Sequence, residues 1–169
     1  ILAGNSREAQ GYFRRFWHSI TRKTYLAVIA NPSWDTVTTS RPIEGKCATT
    51  SFRVIERSAS SALVECELVK NGRTHQIRRH LKWLGNPILG DRVYHGPATS
   101  VRHGQLLHAW KMEVRLPTAH FVPGDWFAFQ APIPDDFRRL SFNWNRWNEG
   151  ATNGSSLLEL PAGWMRKAA

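Results

Sequence analysis

Basic side chains crowd one short stretch of this chain: Arg73, His75, Arg78, Arg79, His80 and Lys82. In the same stretch Ile77, Leu81 and Leu84 recur at i, i+4 and i+7, the spacing of one helix face. The turn pair Asn71-Gly72 opens the helix, and Gly85 with Asn86-Pro87 stops it, so the helix is expected to carry these cations in its first two turns. A helix that only packs against a core has no use for so many of them there. One that holds an anion at its amino end does, because unpaired N–H groups and the helix dipole already favour negative charge. Taken alone, the helix is equally readable as a solvated basic face.

Other chemistries find no residues to carry them. His75 and His80 are five apart, about 140° around a helix, so they do not present a shared metal-binding face. No H-E-x-x-H, paired cysteines or clustered carboxylates accompany them, so no metal is expected. Neither a P-loop nor G-x-G-x-x-G occurs, and no G-x-S-x-G, which leaves nucleotide cofactors and acyl transfer without support.

Several elements must position the central helix. Asn5 through Ile20 reads as a first helix. Asn5 stands as its cap, Glu8 completes a capping box, and Ala9, Tyr12, Phe13, Phe16, Trp17 and Ile20 form a core-facing stripe. Lys23–Ala30 is apolar on both faces, as an interior strand is. A loop over Asn31–Gly45 follows, then a hairpin of Ser51–Glu56 and Ala62–Val69. Past the helix come a strand over Leu106–Leu116, with Leu106, His108, Trp110, Met112 and Val114 on one side, and a short strand over Trp126–Gln130. Asp135 caps a brief helical turn ending near Leu140. Strands separated by hairpins and two helices give the α+β class, with a mixed, largely antiparallel sheet flanked by helices. Residues 1–140 form one unit. The Trp- and Asn-rich stretch 141–169 is an extension docked through Trp144, Trp147 and Trp164, since exposed tryptophan is a poor composition for disorder.

Over 169 residues Lys and Arg outnumber Asp and Glu by 23 to 13, a net charge of +10 that points to a polyanionic partner, most often nucleic acid. Eight Trp and eight Phe beside those cations suit base stacking as well as a core. No apolar run approaches the roughly 18 residues of a membrane span. Cys47 and Cys66 form no C-x-x-C and read as free thiols of a reducing, intracellular compartment.

The wording around the central helix is specific. G-R-T-H-Q-I-R-x-H at Gly72–His80, L-G-N-P-I-L-G-D-x-x-Y at Leu84–Tyr94 and L-L-H-A at Leu106–Ala109 resemble the RluA-type RNA pseudouridine synthases. K-T-Y at Lys23–Tyr25 and A-P-I-P-D-D-F at Ala131–Phe137 fall at the expected places on either side. The resemblance implies a pseudouridine synthase-like catalytic domain that isomerises uridine in rRNA or tRNA without cofactor or metal. It implies that an aspartate attacks the nucleotide, the N-glycosidic bond breaks, the uracil turns over, and C5 rejoins the sugar. Carried over by motif, Arg78 pairs with that aspartate, Ile77 packs on the flipped base, and Tyr25 stacks on the uracil and assists removal of the C5 proton. Arg73, His75, Arg79 and Lys82 are the substrate-binding candidates. Asp91 belongs to a structural Gly-Asp turn.

The family's aspartate stands in an R-L-D-x-x-T-S-G stretch ahead of the first helix, and no R-L-D occurs here. The nucleophile is therefore expected to be absent from this chain, which by itself is expected to be inactive. The chain also starts without Met, just past where that stretch belongs. It reads as a catalytic domain lacking its amino-terminal part, which would need that segment or a companion chain to cover a sheet edge. A catalytically inactive RNA-binding or ribosome-assembly protein is the alternative.

Overall fold

The run Leu26, Ala27, Val28, Ile29 is fully buried on both sides, and a strand of that kind needs a neighbour at each edge. It lies in β1 (Thr21–Ala30), near the middle of a six-stranded sheet. The remaining strands are β2 (Thr36–Thr39), β3 (Thr49–Arg57), β4 (Ser61–Lys70), β5 (Leu107–Pro117) and β6 (Pro123–Gln130). Their order across the sheet is β2-β3-β4-β1-β5-β6, and every pairing is antiparallel. The helices are α1 (Arg7–Ile20), α2 (Gln76–Trp83) and α3 (Asp135–Arg138). This computed structural model describes residues 7–70, 72–100, 104–117 and 123–147. Asn5, Asn71 and Trp164 lie outside them.

The α+β class holds, and several local expectations change. The loop expected over Asn31–Gly45 contains β2, whose four residues pair with Phe52 and its neighbours on β3. So short an edge strand has too few alternating positions to stand out among Pro, Ser and Thr. Arg73 and His75 precede α2 rather than riding on it. Pro134, not Asp135, occupies the cap position of α3. The α1 stripe is only partly core: Tyr12 and Ile20 are buried, whereas Phe16 is 39% exposed.

β5 departs from simple alternation. Its register against β1 shifts between Thr24 and Tyr25, leaving Trp110 as the extra residue. Leu26 pairs with His108 and Lys23 with Met112, so His108 and Met112 point to opposite sides of the sheet. One side, with Thr50 and Phe52, receives α2. The other receives the stretch after β6, where Phe137 meets His108 and Trp147 meets Trp110. Phe142, Trp144 and Trp147 are buried in the same core cluster as Phe137, so packing continues past residue 140. Residues 148–169 lie outside the described set.

Candidate active site

α2 is seated by two buried polar side chains and stopped by a glycine. Gln76 Nε2 donates to the Thr49 carbonyl (3.1 Å) and the Thr50 hydroxyl (3.0 Å), and its Oε1 accepts the Arg73 backbone N–H (2.9 Å). One turn on, His80 is fully buried between the Thr50 hydroxyl (2.8 Å) and the Arg41 carbonyl (3.0 Å). Buried polar groups are tolerated when matched in this way. At the far end Gly85 adopts φ 78°, with Gly85 N–H on the Lys82 carbonyl and Asn86 N–H on the Leu81 carbonyl, the double closure of a Schellman stop.

The chain then turns back beneath the helix. Gly90 has φ 76°, and a Cβ there would collide with the Gly104 carbonyl, so only glycine fits. The turn delivers Asp91 to Arg78. Arg78 Nε donates to Asp91 Oδ2 (2.7 Å) and Nη2 to Oδ1 (2.8 Å), a bidentate pair with the aspartate side chain wholly covered. Asp91 Oδ1 also accepts the N–H groups of Val93 and Tyr94, each at 3.1 Å. Burial pushes the Asp91 carboxyl up, but Arg78 and the two N–H groups outweigh it and hold it below the usual carboxylate value. The same hydrogen bond raises the Arg78 pKa against the effect of burial.

Tyr94 lies under this pair, its ring 4.9 Å from the Arg78 guanidinium carbon. Its hydroxyl accepts from Arg79 Nε (3.0 Å) and meets His75 Nδ1 (3.1 Å). His75 reaches it from a left-handed backbone, φ 56°.

On the other side of Arg78 a pocket of about 310 Å³ opens, lined by Lys23, Tyr25, Arg73, His75, Ile77 and Arg78 among others. Five of the residues singled out from sequence, Tyr25, Arg73, His75, Ile77 and Arg78, thus share one cavity. Arg79 and Lys82 do not line it. Arg79 is spoken for by Tyr94 and by Glu44 (2.8 Å), whereas Lys82 is exposed on α2. None of the described residues lining the pocket is acidic.

Lys23 joins Tyr25 in the pocket, as K-T-Y allows: strand positions two apart share a face. Its ammonium lies 4.8 Å from the Trp17 ring centroid, and burial lowers its pKa. Burial raises that of Tyr25, so the phenol stays protonated near neutrality. Tyr25 sits where the β5 register shifts, a place where sheets commonly re-aim side chains. Among the described residues no group of three His, Cys, Asp or Glu is placed to hold a metal ion, and no helix is long and apolar enough to cross a membrane.

Residues 1–83 match the family model described as RNA pseudouridylate synthase. An uncharacterized RNA pseudouridine synthase of Bacillus subtilis, YlyB, is 43% identical over 101 residues, covering 59% of this chain and 31% of the relative. The ribosomal large subunit pseudouridine synthase D of Nitrosomonas europaea is 41% identical over 104 residues, covering 57% of this chain and 29% of that protein. The chain thus spans about a third of these relatives' length. The solved structure of human RNA Pseudouridylate Synthase Domain Containing 1 aligns with a TM-score of 0.58 at 24% identity, over 77% of this chain and 62% of that one, and shares the fold.

Proposed function

The chain belongs to the RluA-type RNA pseudouridine synthase family, and from that premise we propose that it serves the isomerisation of uridine to pseudouridine in structured RNA. The observation that carries the reading is the meeting of Tyr25, Ile77 and Arg78 in one small basic pocket. Its volume is at the lower end for ligand sites, suited to one extruded nucleotide. Ile77 packs on the flipped base and the protonated Tyr25 ring stacks on it. Lys23, Arg73 and His75 hold its sugar-phosphate. Arg78 orients the attacking carboxylate. Asp91 occupies Nε and Nη2 of Arg78, and Nη1 has no partner among the described residues. That carboxylate comes from outside the described pocket wall, on a joined segment or a companion chain. Relatives named for the large ribosomal subunit favour ribosomal over transfer RNA, inside the cell.

That none of the described residues lining the pocket is acidic favours a second reading: an RNA-binding protein that performs no chemistry. Nucleoside analysis of uridine-containing ribosomal RNA separates the two. The 169-residue chain is expected to bind the RNA without forming pseudouridine, and the same chain joined to an R-L-D-bearing segment is expected to form it. Pseudouridine from the chain alone would overturn the need for an outside carboxylate. RNA binding with no turnover by the joined protein would favour the second reading.

A further inference from the structure

Away from the pocket, the far end of α2 carries Trp83, which is 39% exposed. The guanidinium carbon of Arg41 stands 4.3 Å from its ring centroid. Arg41 is fixed from behind as well: its carbonyl accepts from Nε2 of buried His80 (3.0 Å), and its N–H reaches the Thr39 hydroxyl (3.4 Å). The His80 ring packs against Trp83 at 5.6 Å. Backbone and side chain are thus both placed, yet the guanidinium has no hydrogen bond or ion pair among the described residues. Arg53, Arg57, Arg78 and Arg79 each meet a carboxylate. Lys82, next to Trp83 on α2, is exposed and without an ion pair among the described residues.

The loop bearing Arg41 is also tied to the pocket. The carbonyl of Cys47 accepts from Nε of Arg73, a pocket residue, at 3.3 Å. Arg41 and the pocket wall are two ends of one anchored loop, and the chain's net charge of +10 favours an anionic visitor to both. A planar cation backed by an aromatic ring is a contact for single-stranded nucleic acid, through a phosphate or the face of a base.

We infer that Arg41, held by Trp83, binds the RNA strand adjoining the nucleotide that enters the pocket. The inference rests on the RNA-substrate reading above. The test is equilibrium binding of a fluorescein-labelled RNA hairpin with a uridine loop to the protein and its variants over a range of salt. Thermal unfolding of each variant is measured alongside. Arg41→Ala is expected to weaken binding about tenfold and to lower the slope of log affinity against log salt by about 0.7, one phosphate's worth on a single strand. Arg41→Lys is expected to keep the slope and lose part of the affinity, because an ammonium cannot stack as a guanidinium does. Trp83→Leu is expected to weaken binding several-fold. Arg53→Ala, on the opposite side of the sheet, is expected to leave it unchanged. Folded Arg41 and Trp83 variants that bind like the parent would overturn the contact and leave the pocket reading in place. A parent protein that fails to bind the hairpin would overturn both.

Discussion

Arg78 and Asp91 stand thirteen residues apart in the chain and share a buried bidentate ion pair. A covered carboxylate that keeps its charge needs that partner, and a covered guanidinium needs the carboxylate. Replacing either one therefore tests function and stability separately. Arg78→Lys preserves the charge but not the fork that grips Asp91 while presenting a third nitrogen. In the protein supplied with its carboxylate segment, turnover is expected to fall at least about a hundredfold, the scale for losing a preorganised donor, with RNA affinity within about threefold. Turnover near the parent's would remove Arg78 from the reaction. Asp91→Asn is expected to cost about 3 kcal/mol or more in urea unfolding, because it leaves the arginine charge buried without its counter-ion. The arginine was legible from the motif around it. Its pairing with Asp91 was not, because a helix, a left-handed stop and a tight turn must all form before the two meet. Arg79 shows the same limit. Its type and position make it a substrate-binding candidate, and only the folded chain brings Glu44 and Tyr94 to it.

At the scale of elements, α2 is held against the sheet by buried polar residues as well as by Ile77 and Leu81, and sequence periodicity does not weigh the polar ones. Ile77 and Leu81 mark its apolar face correctly. The depth of Gln76 and His80 depends instead on Thr50, which waits on β3 to match both. The β5 alternation failed for a comparable reason: one extra residue, Trp110, turns the remainder of the strand over, and no residue type announces it. His80 makes the seating sensitive to acid. Burial lowers its pKa from the usual 6.5, against the raising effect of the Arg41 carbonyl, and burial lowers that of His108 too. When folding depresses a histidine pKa, the unfolded chain binds more protons at intermediate pH. The stability these groups contribute is complete above about pH 6.5 and declines as pH falls toward their folded values. The urea midpoint is thus expected to be lower at about pH 5.5 than at about pH 7.5. His80→Gln is expected to lower stability at both and to shrink the difference between them. A midpoint that does not move between the two would mean that neither histidine titrates differently on folding.

Across the whole molecule, the excess of 23 basic over 13 acidic residues is not evenly available. Arg53, Arg57, Arg78 and Arg79 are each neutralised by a neighbouring carboxylate, whereas Lys23 and Arg73 in the pocket and Lys82 on α2 have no ion pair among the described residues. A cation already paired releases few counterions from RNA, because the phosphate must compete with its carboxylate. Arg79 and Lys82, three residues apart on one short helix, therefore separate two explanations of basic charge. Lys82→Ala is expected to reduce the salt slope of RNA binding by about 0.7, with little change in unfolding. Arg79→Ala is expected to leave the slope nearly unchanged while lowering stability, since it unties Tyr94 and Glu44 from the helix. Comparing the two slopes over about 50 to 200 mM salt decides the matter. Equal losses would show that RNA displaces Glu44 and uses both residues. No loss from either would mean that Arg79 and Lys82 are merely solvated and take no part in the interface.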